Sequence, residues 1–408
     1  MPSEDLLRRY ADVMLDVGLD LRPGRTVAID AQIEHAPLAR LLAEGAYRRG
    51  ARYVDVWYWD PHPKRSRLLH ADAATLHEVP AWLARRYEAL AEAPDGGCLI
   101  RIAGDPDADL LSDVDPERAG RDRMPWVPAR NDAQTHMLVE WTIGCCPTPG
   151  WAERVLGEPD VEELWSLVAH LMRLDEPDPV AAWRARMAEL RRRCEQLDAL
   201  GLETIRFEGP GTDLSVGLPE DHRWLTVELV SRRGVRHVVN LPSEEVATSP
   251  DPTRAEGVVR STRPLALGGT VVRDLELRFE GGRIVDVAAA TGADVVRAHV
   301  AQDPGAGRLG EVALVDGSSR VAASRRLFFD TLLDENAACH LAWGSGIPEA
   351  RAGHDPSSGA SLSDLGLNAS STHTDFMVGG PGVTVTGRDR AGREHLLLAG
   401  ERWMLAAP

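Results

Sequence analysis

Four segments in the second half of this 408-residue chain set acids and histidines among apolar or turn-forming residues. They are Pro242-Ser243-Glu244-Glu245-Val246, Leu309-Gly310-Glu311-Val312, Asp334-Glu335-Asn336-Ala337-Ala338-Cys339-His340 and Thr372-His373-Thr374-Asp375-Phe376-Met377. His373 and Asp375 are two apart, and the Phe376-Met377-Val378 that follows favours a strand. On a strand, residues two apart share a face, so an imidazole and a carboxylate could meet one ion. A histidine merely held by a neighbouring carboxylate has the same spacing. Glu311 stands at the entry of an apolar strand, facing either solvent or the interior. If Glu244 and Glu245 are extended they point to opposite sides, and only one of them is a ligand. Counting Glu245 for that pair, the set holds four carboxylates (Glu245, Glu311, Glu335, Asp375) and two histidines (His340, His373). Converged without a cation, each pair of carboxylates would repel by about 4 kcal/mol at about 4 Å and an effective dielectric near ~20. Two divalent ions would cancel that charge. Mixed carboxylate and imidazole donors suit zinc, cobalt or manganese, and a carboxylate-bridged pair of ions suits hydrolysis.

The elements around these segments change character along the chain. Leu6, Leu7, Tyr10, Ala11, Met14, Leu15 and Val17 have helical spacing, and Pro23-Gly24 breaks it. Strands are expected at 26–29 and 53–59, with a helix from His35 to Arg48 between them, which is a βαβ unit with parallel pairing. Helix over 80–92, strand over 98–102 and strand near 137–143 continue the pattern. Helices follow at 161–173 and 180–199. From Thr204 short alternating runs bounded by glycine, proline and aspartate predict antiparallel structure. The expected architecture is α/β followed by α+β. Residues 1–195 form an α/β domain with parallel strands, and residues 196–408 form a mixed, largely antiparallel metal-binding domain. Asp334 to Trp343 reads as the start of a helix capped by Asp334.

Composition excludes several functions. The 63 acidic residues outweigh 46 basic ones, for a net charge of −17, which argues against nucleic acid or an anionic membrane as partner. A single lysine, Lys64, in the exposed-looking string Pro61-His62-Pro63-Lys64-Arg65, rules out a phosphate-binding Gly-Lys-Ser/Thr loop and disfavours Schiff-base chemistry. Five scattered cysteines without a CxxC fit neither a disulfide framework nor a cysteine zinc site. With no signal-peptide core and no membrane-spanning apolar run, a cytoplasmic location is expected. Gly305-Ala306-Gly307-Arg308-Leu309-Gly310 matches a dinucleotide fingerprint in letters only, because a strand-like run follows it where a helix is required. Gly344-Ser345-Gly346 is not a nucleophile elbow.

Taken in order along nearly the whole chain, these signatures resemble the dinuclear metalloaminopeptidases of the aminopeptidase T, aminopeptidase S and PepS type. The resemblance is carried by Gly209-Pro210-Gly211-Thr212-Asp213-Leu214, Asn240-Leu241-Pro242-Ser243-Glu244-Glu245-Val246, Arg308-Leu309-Gly310-Glu311-Val312, Asp334-Glu335-Asn336-Ala337-Ala338-Cys339-His340 and His373-Thr374-Asp375-Phe376-Met377, with weaker matches such as Pro23-Gly24 and Asp178-Pro179-Val180-Ala181-Ala182-Trp183. It implies that Glu245, Glu311, Glu335, His340, His373 and Asp375 are metal ligands, with Glu245 preferred to Glu244. It implies that Glu311 orients or deprotonates a metal-bridging water, that the substrate is a short peptide or small amide, and that the protein is a homodimer whose partner shields the site. Two positions depart from the family pattern. Ile347 stands where the family has a catalytic tyrosine, and no tyrosine follows Tyr87. Ala247 stands where an aromatic residue is common. Both are substrate-pocket candidates. The missing phenol leaves two further readings: a scaffold repurposed for one small metabolite, by amide hydrolysis or by iron and oxygen chemistry, or a non-catalytic, metal-stabilised peptide-binding dimer.

Overall fold

The computed structural model describes residues 2–104, 107, 110–111, 113–122, 124, 127–268 and 270–407. Two compact units make up the chain: residues 1–184 with 228–241, and residues 185–227 with 242–408.

The first unit runs α1 (Glu4–Val13), β1 (Thr26–Gln32), α2 (Ala36–Arg48), β2 (Tyr53–Trp59), α3 (Pro61–His70), α4 (Ala81–Ala91), β3 (Gly97–Ala103), α5 (Pro116–Arg121), α6 (Pro128–Thr135), β4 (Glu140–Cys145), α7 (Pro149–Leu156) and α8 (Val161–Leu171). Its four strands are parallel in the order β2-β1-β3-β4. The expected α/β architecture is therefore present, with helices between successive strands as parallel pairing requires. Short polar side chains start the helices: Ser3 accepts from the Leu6 amide, Asp60 from His62 and Asp160 from Glu162 and Glu163. Lys64 is not in an exposed string. It lies on α3, where Nζ donates to the Met124 carbonyl at 2.7 Å and burial lowers its pKa.

The units divide within α9 (Pro179–Leu200), and the break expected near residue 195 falls inside this helix. After β5 (Leu202–Gly209) and β6 (Thr212–Gly217), a hairpin of β7 (Glu228–Val230) and β8 (Arg236–Val238) returns to the first unit, where the Ile143 amide on β4 donates to the Val239 carbonyl.

The second unit continues with β9 (Val246–Thr248), β10 (Ala255–Arg260), β11 (Leu265–Leu267), β12 (Thr270–Val272), β13 (Glu276–Glu280), β14 (Arg283–Ala288), α10 (Ala293–Val300), β15 (Leu309–Leu314), α11 (Arg320–Ser324), α12 (Thr331–Asp334), β16 (His340–Gly344), β17 (His373–Met377), β18 (Thr384–Asp389), β19 (Glu394–Ala399) and β20 (Arg402–Trp403). An eight-stranded sheet has the order β14-β13-β10-β6-β5-β18-β19-β20, and a four-stranded one has the order β17-β16-β15-β9. The pairings given for both are antiparallel, as the alternating runs after Thr204 predict. The Gly305-to-Gly310 segment is a turn that leads straight into β15, not into a helix.

One expectation fails here. Asp334 to Trp343 is not a helix start. Asp330, not Asp334, caps the short α12, a single 3-10 turn covers Glu335–Ala337, and Ala338 is fully extended at φ −167°. His340–Gly344 is the buried central strand of the smaller sheet, held by pairing on both sides. Small residues with good helix propensity yield to two strand partners. All five cysteines are free and buried. Among the described residues no helix is long and apolar enough to cross a membrane.

Candidate metal centre

Register explains how residues far apart in sequence reach one face. In the four-stranded sheet Ala342 lies opposite Glu311 on one side and Asp375 on the other. His340 lies opposite Ala313 and Met377, Gly344 opposite His373, and Ala247 opposite Ala313. Residues directly opposite share a face, as do residues two apart on a strand. Glu311, His340, His373 and Asp375 therefore project from the same face. Glu245, two residues before Ala247, comes to it from the start of β9. Apart from Met377, which pairs with His340, the rest of that face is small: Ala247, Ala313, Ala342 and Gly344. The opposite face carries Val312, Leu314, Leu341, Trp343 and Phe376, all buried, with the Trp343 and Phe376 rings 5.3 Å apart between centroids. Gly344 has a φ of +106°, and a Cβ there would lie 2.1 Å from the Thr372 carbonyl oxygen, so only glycine closes this strand.

Contacts on the ligand face run in a chain. His340 Nε2 lies 3.2 Å from Glu245 Oε2 and 3.8 Å from Glu311 Oε1, and His373 Nε2 lies 3.1 Å from Glu311 Oε2 and 3.3 Å from Asp375 Oδ1. Glu245, Glu311 and His340 form one group of possible donors. Glu311, His373 and Asp375 form another, and within each group the donor atoms lie within 4.8 Å of one another. Glu311 belongs to both. The other nitrogen of each ring faces a backbone carbonyl: His340 Nδ1 lies 3.3 Å from Ala338 O and His373 Nδ1 lies 2.9 Å from Ser345 O. A protonated Nδ1 donates there and leaves Nε2 for the carboxylates or an ion.

Glu335, on the 3-10 turn before β16, is in neither group but is 8% exposed and has Oε1 buried without a hydrogen-bond partner among the described residues. With Asp375, Asp334 and Met377 it lines a small cavity beside the face. Burial pushes its carboxyl well up, and the Glu245 and Asp375 carboxylates add to that. Burial also raises Glu245 against the pull of His340. Glu311 goes the other way. Burial opposes its charge, but hydrogen bonds from His340 and His373 hold it down at about 2. Both imidazoles are pushed well up, the buried His340 by Glu245 and Glu311, and the more exposed His373 by Asp375 and Glu311. The two imidazoles thus favour positive charge beside the carboxylates, and an orphan oxygen remains on Glu335. That donor set fits divalent cations.

Glu244 and Glu245 separate cleanly. Glu245 faces His340, and Glu244 is turned away into a buried ion pair with Arg186 of α9, Nε to Oε2 at 2.9 Å. Ala247 is buried on the ligand face. Ile347 is half-buried, beyond the end of β16, with its amide donating to Ser249 Oγ at 2.7 Å. Sequence reasoning overlooked Asn336 and Ser243. Asn336 is fully buried and hydrogen-bonded to the Glu244 amide, and Ser243 Oγ donates to Glu245 Oε1 at 3.3 Å. Their only signal is position beside a candidate ligand.

Known proteins match this chain from end to end. The family model described as thermophilic metalloprotease (M29) matches residues 3–403. Aminopeptidase T of Thermus thermophilus is 40% identical over 409 residues, covering 98% of both chains. Aminopeptidase 2 of Geobacillus stearothermophilus is 35% identical over 412 residues, again covering 98% of each. The solved structure of wild-type AmpT from Thermus thermophilus superposes with a TM-score of 0.89 at 38% identity, over 98% of this chain and 99% of that one. The match takes in both units and all four of the segments that meet on the ligand face, so the chain belongs to the M29 family of thermophilic metalloproteases.

Proposed function

We propose that this protein is a metal-dependent aminopeptidase that removes N-terminal residues from short peptides and small amides, using two divalent ions of zinc, cobalt or manganese. The observation that carries the reading is Glu311, one buried carboxylate shared by two donor groups, with one oxygen toward His340 and the other toward His373. Glu245 and His340 would hold one ion and His373 and Asp375 the other, with Glu311 between them and Glu335 completing the set. Relatives with aminopeptidase names along the whole chain support this reading above the single-metabolite and non-catalytic ones.

Ions bound there supply a polarised scissile carbonyl and a water acidified toward neutral pH. The chain's own residues do the rest. Backbone carbonyls 338 and 345 fix both imidazoles with Nε2 inward. Glu311, set between the two imidazoles, would orient the attacking water or accept its proton. The small floor of Ala247, Ala313 and Ala342 leaves room above the sheet for a substrate, with Ala247 and Ile347 among the residues that shape its pocket. The catalytic domain is drawn from residues 196–408 and the N-terminal domain from residues 1–195, except that residues 185–195 go with the former and residues 228–241 with the latter. The working form is a cytoplasmic homodimer.

Hydrolysis of aminoacyl anilides before and after removal of metal by a chelator tests the reading. Activity is expected to vanish with the metal and return with added zinc, cobalt or manganese. Glu311→Gln is expected to lower turnover by about 10²–10⁴-fold, the usual worth of a general base. Turnover that survives complete metal removal would sink the proposal.

A further inference from the structure

Behind the ligand face lies a second polar cluster that the reaction does not use. Glu244 has a fully buried side chain, and its Oε2 is paired with Arg186 Nε at 2.9 Å. Its Oε1 accepts from the Arg320 amide at 3.0 Å. Arg186, itself 9% exposed, also reaches Glu189 at 2.9 Å and Ser318 Oγ at 3.4 Å. Asn336 makes the second half of the cluster. Its Oδ1 accepts from the Glu244 amide at 2.6 Å, and its Nδ2 donates to Pro242 O at 3.3 Å and Leu332 O at 3.1 Å. Ser319 Oγ donates to the Asn336 carbonyl at 2.8 Å. The carboxamide thus has one acceptor and two donors engaged at once. A carboxylate lacks the donors, and the partners leave one orientation of the amide.

These bonds end one residue from a ligand on each side. Asn336 adjoins Glu335, Glu244 adjoins Glu245, and the Asn336 carboxamide ties segment 242–245 to segment 332–336. Adjacent residues of an extended segment point to opposite sides, so a one-residue slip of segment 242–245 would exchange Glu244 for Glu245 on the ligand face. Pairing Glu244 with a buried guanidinium fixes which of two identical side chains turns inward. We propose that Asn336 and the Arg186–Glu244 ion pair are positioning residues for the metal centre: they select Glu245 over Glu244 as the ligand and hold Glu335 in register with it. The inference rests on the metal-centre reading above.

Three variants test it: Asn336→Ala, Glu244→Gln and the double variant Arg186→Leu with Glu244→Leu, which removes both charges together and so leaves neither buried alone. Ion affinity is measured by competition with a chromophoric chelator, with kcat and KM for an aminoacyl anilide and the metal-free Tm recorded alongside. Affinity for at least one ion is expected to fall about 10–100-fold, as for other residues that orient metal ligands. kcat is expected to fall with little change in KM, and Arg186→Lys to retain most of what the double variant loses. A lowered metal-free Tm with wild-type ion affinity and kcat in all three variants assigns the cluster a merely structural role and overturns the inference alone. Wild-type protein that takes up no ion overturns the metal-centre reading and this inference with it.

Discussion

At Ile347 the chain carries a branched hydrocarbon in a backbone conformation, φ −110° and ψ 110°, that a tyrosine adopts equally well. The side chain fills space and excludes water but donates nothing. Where the family resemblance places a phenol against the tetrahedral oxyanion, this protein lacks that donor, which is worth roughly 10²–10³ in rate. Ile347→Tyr is therefore expected to raise kcat for simple aminoacyl anilides by up to about that factor, measured at saturating substrate with metals replete. An efficient wild type that the substitution slows would show that another group stabilises the oxyanion. At residue scale His373 and Asp375 were the most legible pair, since their two-residue spacing means one face on any strand. The choice of Glu245 over Glu244 was legible only through the family resemblance, because Glu244 is paired with Arg186, ~60 positions earlier, whose long side chain gives no local sign of its partner.

Among elements, the loops that deliver β15 and β17 are clasped by one acid. Asp303 Oδ1 accepts from the Gly305 and Ala306 amides at 2.9 Å each, and Oδ2 accepts from Ser370 Oγ at 3.0 Å and from the Ser371 amide and hydroxyl at 2.8 Å. Burial works against its charge, but these donors outweigh it and bring the pKa to about 2. A carboxylate depressed on folding stabilises the protein above its unfolded pKa of about 3.9 and stops doing so as pH falls through the folded value. Urea unfolding between pH 5 and 2 should therefore show a loss of stability that is smaller in Asp303→Asn, itself weaker at pH 7. Equal pH slopes in the two proteins would refute this. The letters around Asp303 mimic a nucleotide loop, yet they encode this clasp. Element boundaries were readable where periodicity was strong, as at β2 and α2. They were misread where prolines open a helix. Pro61 and Pro63 look like loop residues, but Asp60 caps α3 and the first helical turn tolerates a residue without an amide hydrogen.

For the molecule as a whole, the parallel and antiparallel regions were legible from the change in texture near Thr204. The return of β7 and β8 to the first unit was not, because pairing of residue 143 with residue 239 leaves no pattern within either segment. A charge of −17 favours solubility and opposes close approach of copies, so a dimer must bring its own apolar or paired contacts. Static light scattering at working concentration is expected to give twice the 44.5 kDa chain mass, with dissociation and inactivation proceeding together on dilution. A fully active species at the monomer mass would exclude a shielded two-chain site.

Lys64 has a consequence for anyone who tries to trap such a pair covalently. It is the one side-chain amine in the sequence, and from α3 its nitrogen is already engaged with the Met124 carbonyl. Reagents that stitch proteins together through amines, or fix and label them by acylation, find this single handle and the terminal amine of the chain. A failure to bridge two copies would then report the separation of two lysines, not the absence of an interface. The exposed carboxylates among its 63 acidic residues, activated for coupling, are the groups through which this surface is open to chemical capture.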